Sequence, residues 1–221
     1  MNRSAPKELF DSGRLLAFSD GVFGVAITLL VIDIHLPANA MDGGDAALLQ
    51  ALAPMGPKLV VFAFTFIVLG MSWLGHHRKF SYIDKVDGRL LWINLFYLMA
   101  ICLVPFVSNM LAEDGNSRFA FALYAGVMAL TDMVSTGLSA YGLRKPFLRP
   151  QLQLRPVLRR DMVLSPLLVG IIFVVGAAIS LGGWVRLAHW TLFMILPVMA
   201  LLGSGVPVLA GLKKSDRKSV V

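Results

Sequence analysis

Ionisable side chains inside apolar stretches are the residues of this chain whose types could do chemistry. Asp20 lies in the first such stretch, His76 and His77 end the second, and Asp132 lies midway along the fourth. Buried ionisable groups in hydrocarbon are costly, so they pair with other polar groups or mark proton and cation sites. Adjacent helical residues point about 100° apart, which disfavours His76 and His77 sharing one metal. We predict no metal site.

Each acidic residue has two interpretations. Asp20 could form an internal ion pair, with Arg14 or a loop histidine, or it could bind a proton or cation. Asp132 shares a helix face with Ser135 and Ser139 (i+3 and i+7). This pattern predicts either a buried polar seam between helices or a functional site.

Signals for enzymes and for well-known channel types are missing from the sequence. It has no HExxH, GxSxG or phosphate-loop motif, and its one cysteine, Cys102, allows no intrachain disulfide. It also has no Thr-Val-Gly-Tyr-Gly filter and no regularly spaced arginine run of a voltage sensor. We therefore predict that the chain is not an enzyme and has no cofactor.

The elements that must position these residues are membrane spans. The chain is 57% hydrophobic and only 15% charged, whereas a soluble domain typically carries roughly 25% charge. Its apolar residues form six blocks, each near the length that a helix needs to cross a bilayer. The predicted spans are 15–36, 59–76, 90–112, 119–141, 162–181 and 187–212, with a loop at 38–50 and a basic linker at 145–160. We predict one all-α domain over residues 1–221.

The positive charges predict the orientation of these spans. With both termini in the cytoplasm, 17 of the 20 Lys and Arg residues fall in cytoplasmic segments, Lys79 among them. Such a bias is the positive-inside pattern of multi-pass proteins, and it does not resemble a nucleic-acid-binding surface. We predict the lipid bilayer, and no nucleic acid, as a partner. The linker at 145–160 is expected to lie along the lipid headgroups.

The first helix carries an apolar stripe. At about 100° per residue, Val25, Leu29 and Ile32 share one face and Thr28 lies at its edge. Asp20 falls on the far side, and Val31 is expected on the face opposite the stripe. Periodicity alone allows the stripe to pack against neighbouring helices or to line a pore.

Two groups of motifs resemble the transmembrane-protein-175 family of endosomal and lysosomal potassium channels and their bacterial homologues. The first group is Arg14-x-x-x-Phe18-Ser19-Asp20, followed by Thr28 and Pro37. The second is Trp73-x-x-His76-His77-Arg78-x-Phe80, then Arg89-Leu-Leu-Trp92-x-Asn94-Leu, then Pro105-Phe106. Together they span roughly half of the chain.

The resemblance implies a homotetramer whose first helices line a central potassium pore. The pore positions it implies are Val25, Thr28, Leu29 and Ile32. It also implies a structural polar network away from the pore, formed by Arg14, Phe18, Ser19, Asp20, Trp73, His77 and Asn94. The family often has Ile or Leu at the first constriction, so the shorter Val25 is a departure that bears on selectivity.

We therefore expect a modestly selective potassium channel in a cell membrane, as a multi-pass protein of a bacterial inner membrane. Two alternatives remain open at this stage. A proton- or cation-coupled secondary transporter would place ionisable residues at mid-membrane, where Asp132 lies. A non-conducting membrane scaffold would show no ion flux at all.

Overall fold

The computed structural model describes residues 10–32, 34–36, 44–144, 147–149 and 156–201. Within them the protein is a bundle of long helices, which confirms the all-α prediction. The elements in chain order are β1 (Phe10–Asp11), α1 (Ser12–Ile32), α2 (Gly44–Leu52), a 3-10 turn (Ala53–Met55), α3 (Gly56–Tyr82), β2 (Lys85–Val86), α4 (Gly88–Glu113), α5 (Arg118–Gly142), α6 (Pro156–Leu181) and α7 (Val185–Leu201).

Two of these helices begin at polar capping residues. The Asp87 side chain accepts a 2.9 Å hydrogen bond from the Leu90 backbone N–H before α4. Ser117 Oγ accepts one of 3.3 Å from the Ala120 N–H before α5. Each cap satisfies a backbone donor that the first helical turn leaves free. The observed helices therefore extend the predicted spans 90–112 and 119–141 by only one or two residues at each end.

The sequence-based boundaries differ from the structure elsewhere. Part of the predicted loop 38–50 is helical, since α2 runs over Gly44–Leu52, where Ala, Leu and Gln are good helix formers. The helix α6 begins six residues before the predicted span 162–181, with Pro156 at its first position. The predicted last span 187–212 is observed as α7 up to Leu201. Residues 202–212 and Pro37 lie outside the described part of the chain.

The centre of the bundle is α5, which contacts α4 on one side and α6 on the other, while α1 packs against α3 and α4. Close approach of α6 to α5 depends on Gly170. An added Cβ there would lie 2.5 Å from Met133 Cε and 3.1 Å from Asp132 Cβ. A larger residue would therefore require the Met133 side chain to move and would crowd Asp132.

Different contacts hold the helices together at the two ends of the bundle. At the end predicted to be cytoplasmic, β1 pairs with β2, and Ser12 Oγ donates a 2.8 Å hydrogen bond to the Ile83 carbonyl. A small apolar cluster that includes Leu15 and Phe80 packs beneath this ribbon. At the opposite end, Lys58 and Glu113 form an ion pair between α3 and α4. The start of α1 is thus tied to the segment that joins α3 to α4.

Five described segments are long and apolar enough to cross a membrane, and α7 is apolar but shorter. Large hydrophobic side chains are exposed over the bundle, among them Phe106, Trp184 and Phe193. Such a surface is unfavourable in water and favourable in lipid. The chain is a multi-pass membrane protein.

Candidate functional site on the first helix

One face of α1 is buried against the rest of the subunit. Its buried residues recur every three or four positions, as expected for a helix that packs along one face. They are Ser12, Leu15, Ser19, Phe23, Ala26 and Leu30. The Phe23 ring lies 5.8 Å from the His76 ring and 5.9 Å from the Tyr97 ring, measured between centroids.

The four residues that the resemblance assigns to a pore all lie on the exposed side of α1. Val25 is 59% exposed, Leu29 38% and Ile32 66%, and Thr28 is exposed among them. Val31 was expected opposite this stripe but is itself 52% exposed. The exposed side of α1 is wide, because the buried face is narrow and centred near Phe23 and Ala26.

The Thr28 hydroxyl is held by the helix that carries it. Its Oγ1 lies 3.0 Å from the Gly24 carbonyl and 2.9 Å from the Val25 carbonyl, and donates its proton to this backbone. A hydroxyl has one proton and two acceptor lone pairs. With the proton engaged by the helix, the oxygen can present lone pairs to a cation on the exposed side.

A polar cluster joins α1 to α3 at the end predicted to be cytoplasmic. Trp73 Nε1 donates a 2.8 Å hydrogen bond to Asp20 Oδ1. His77 Nδ1 lies 3.9 Å from Asp20 Oδ2. The Asp20 side chain is only partly buried, at 35% exposure. Of the two interpretations of Asp20, this geometry favours a structural pair, made with Trp73 and His77.

A second, fully buried chain of hydrogen bonds joins α1, α3 and α4. Asn94 Nδ2 donates to Ser19 Oγ at 3.0 Å, and Ser19 Oγ donates to the Leu15 carbonyl at 2.8 Å. His76 Nε2 lies 2.8 Å from Asn94 Oδ1. Because an amide oxygen only accepts, this contact requires a proton on His76 Nε2.

His76 is therefore the member of this network that the sequence-based site omitted. It is fully buried, whereas the neighbouring His77 is half exposed. A sequence signal for it existed, since Asn94 inside an apolar span needs a buried partner. The structure does not join Arg14 or Phe18 to the network: both are exposed, and the described residues include no hydrogen-bond or ion-pair partner for Arg14.

The polar seam predicted on α5 is confirmed. Asp132, Ser135 and Ser139 are all buried. Lys79, expected in a cytoplasmic segment, is also buried and donates a 2.6 Å hydrogen bond to Ser135 Oγ. Within the described part of the chain, no group of three or more His, Cys, Asp or Glu residues could hold a metal ion.

Comparison with known proteins gives a family match in the first half of the chain and relatives that match about half of it or somewhat more. The family model for the endosomal/lysosomal potassium channel TMEM175 matches residues 14–105. A potassium channel of Streptomyces collinus is 43% identical over 122 residues, which are 53% of this chain and 58% of that one. A potassium channel of Chamaesiphon minutus is 36% identical over 123 residues, which are 54% of this chain and 60% of that one. The matched segments thus span little more than half of these relatives.

Solved structures extend the likeness to nearly the whole chain. The lysosomal potassium-selective channel TMEM175 homologue from Chamaesiphon minutus has 26% identity and a TM-score of 0.74, covering 87% of this chain and 98% of that one. The potassium channel MtTMEM175 has 18% identity and a TM-score of 0.53, covering 92% and 97%, which shows a shared fold. In sequence over residues 14–105 and in the arrangement of its helices, this chain is similar to the TMEM175 family of endosomal/lysosomal potassium channels.

Proposed function

We propose that this chain is the subunit of a modestly selective potassium channel, in which four copies place the exposed faces of α1 around a central pore. The observation that carries the proposal is the exposed row of Val25, Thr28, Leu29 and Ile32 on α1. The bacterial relatives are named potassium channels, which supports the same ion. We assign the protein to a bacterial cell membrane and expect it to conduct ions without catalysing a reaction.

The chemistry of the row suits a neck that sieves ions. Rings of apolar side chains narrow a pore and control its wetting. Such rings offer few ligands to replace lost water, so they favour the ion that sheds water at lower cost, which is potassium rather than sodium. The Thr28 oxygens would stabilise a partly dehydrated ion. Selectivity stays modest because the neck has no carbonyl filter.

The polar network has a supporting role in this proposal. Asp20 with Trp73, and Ser19 with Asn94, fix the rotation of α1 about its own axis relative to α3 and α4. That rotation decides which side chains face outward. The network therefore keeps the Val25 and Leu29 side chains directed toward the central axis. Its own residues do not contact the ion.

The test is potassium flux from purified protein in liposomes, together with native mass spectrometry of the intact assembly. We expect passive, voltage-driven potassium flux that exceeds sodium flux, and a mass of four subunits. Saturable exchange would instead indicate a coupled transporter, and no flux from a correctly assembled tetramer would indicate a scaffold. Animal relatives are named proton channels, so a pH-sensitive dye in the lumen should measure proton flux in parallel.

Orientation is tested by single cysteines in a Cys102→Ser background. Lys85 and Asn116 are exposed at opposite ends of the bundle. A membrane-impermeant thiol reagent added outside intact cells should label Asn116→Cys and leave Lys85→Cys unlabelled. The reverse pattern would contradict the proposed cytoplasmic position of the termini. Lys79 is unsuitable as a labelling site because it is buried.

A further inference from the structure

A pocket in the described part of the bundle has no lining residue from α1. It is formed between α3, α5, α6 and α7 near the end predicted to be cytoplasmic. Its lining mixes apolar and charged side chains. The polar residues among them are Ser72, Arg78, Lys79, Asp132, Ser135, Asp161 and Ser165.

The deepest charged residues of the pocket are Lys79 and Asp132, which are only 5% and 6% exposed. They interact electrostatically, yet no direct ion pair within 4.0 Å joins them in the described structure. Lys79 Nζ instead donates to Ser135 Oγ. Asp132 Oδ2 is buried, and none of the described residues donates a hydrogen bond to it.

This arrangement is incomplete for two charges inside a protein. A buried carboxylate oxygen without a donor costs free energy, and more so in a low-dielectric interior. An ammonium group has three donors, of which one is directed to Ser135. The pocket between them has room for water. The centre of a water molecule can occupy about 40 Å³ of it, and about 10–15 Å³ is enough to hold one molecule.

We propose that this pocket is a water-binding site, in which ordered water bridges Lys79 and Asp132 and connects this buried pair to the cytoplasm. The bridge would donate to Asp132 Oδ2 and accept from Lys79 Nζ. Arg78 on α3 and Asp161 on α6 line the same pocket and are more exposed than the buried pair. Each subunit then has a second aqueous cavity, separate from the proposed pore and independent of whether that pore conducts.

Three methionines make the site measurable in the unmodified protein. Met71, Met162 and Met199 line the pocket, whereas Met55 and Met128 are buried elsewhere. Met55 and Met162 have the same exposed fraction of 7%, so they form a matched pair. X-ray radiolysis produces hydroxyl radicals from water, including water bound inside proteins, and these radicals oxidise nearby methionine sulfur.

The experiment is millisecond radiolysis of the protein in lipid nanodiscs, with oxidation of each methionine read by mass spectrometry. We expect Met162 to oxidise at least about threefold faster than Met55 and Met128, because Met162 lines this pocket and the other two do not. Equal rates at Met162 and Met128 would overturn the proposal.

A double variant tests whether the charged pair holds the water. Lys79→Met with Asp132→Leu replaces a buried pair by apolar residues of similar size, a change that proteins often tolerate. We expect Met162 oxidation to fall to the Met128 rate while Met55 oxidation stays unchanged. Unchanged Met162 oxidation in this variant would show that the pair does not bind the water and would contradict the proposal.

Discussion

The two faces of α1 are built from similar residues but have different surroundings. Phe23 and Ala26 on one face are enclosed by α3 and α4, whereas Val25 and Ile32 on the other are exposed in the subunit. Both faces are largely apolar, so hydrophobicity does not distinguish them. What distinguishes them is the hydrogen bond between Asn94 and Ser19 on the buried face, which we propose fixes the face that turns inward. Substitutions on the buried face should therefore change stability, and those on the exposed face should change conduction.

The largest effect is expected from Phe23→Ala on the buried face. Phe23 is 1% exposed and contacts the rings of His76 and Tyr97. Removing a buried aromatic ring typically lowers the free energy of unfolding by about 3–5 kcal/mol. Denaturant titration in detergent measures it. The matched control is Phe18→Ala, five residues earlier and 54% exposed, which should change the free energy of unfolding of the subunit by less than about 0.5 kcal/mol. Similar losses of unfolding free energy from both substitutions would show that the two faces of α1 do not differ in this way.

Next in size is the effect of Val25→Phe on the exposed face. In a tetramer the larger ring occurs four times around one axis, so potassium flux should fall at least about tenfold by occlusion of the apolar neck. Flux per folded tetramer is the measurement. Val174→Phe is the control, since Val174 on α6 is 51% exposed and far from α1 in sequence. Wild-type flux in folded Val25→Phe protein would show that α1 does not line the pore.

Asp20→Ala should also lower stability, but by less than Phe23→Ala does. This change removes the acceptor of the Trp73 indole N–H and the partner of His77. Because Asp20 is partly exposed, water replaces some of the lost interaction, and we expect a cost of about 1–2 kcal/mol. Thermal dissociation of the tetramer measures it, and Asp20→Asn should restore part of the loss by accepting from Trp73. If Asp20→Ala leaves stability unchanged but alters ion preference, Asp20 is an ion site.

Leu29→Asn should increase potassium flux by about twofold to fivefold, because an amide ring favours wetting of an apolar neck. Discrimination against sodium should weaken at the same time. Leu168→Asn on α6 is the control, since Leu168 is 41% exposed and Leu29 38%. An amide at Leu168 would face lipid and lower stability without raising flux. If both variants lose stability alike and neither gains flux, Leu29 faces lipid rather than a pore.

The smallest effect is expected from Thr28→Val. The change keeps the shape of the side chain and removes the oxygen that we propose contacts the ion. We expect the potassium-to-sodium permeability ratio to fall by about twofold, in line with loss of a weak ligand. Reversal potentials under bi-ionic conditions measure the ratio. Thr136→Val loses a comparable hydrogen bond to its own helix and should leave the ratio unchanged. A wild-type ratio in Thr28→Val would exclude Thr28 from selectivity.

Some of the site could be read from the sequence, and some of it could not. The spacing of Val25, Leu29 and Ile32 predicts a common face, and the structure exposes all three. The same periodicity places Val31 away from them, and the structure exposes it as well, because the angular width of a buried face depends on how closely neighbouring helices approach. His76 and His77 are identical residue types at adjacent positions, and only the structure shows that His76 is the buried one, bonded to Asn94 and stacked on Tyr97.

The sequence by itself determined the helical class, the positions of the long helices and the membrane as solvent. These properties are local, since a long apolar stretch prefers lipid whatever surrounds it. The tertiary structure alone decided which face of α1 is buried and that Lys79 lies inside the bundle beside Asp132 and Ser135. In the sequence, Lys79 near the end of a span looks like one of the positive charges that set the orientation of a membrane protein. Whether it turns inward depends on the hydrogen-bond partners that other helices provide, and those partners lie more than fifty residues away along the chain.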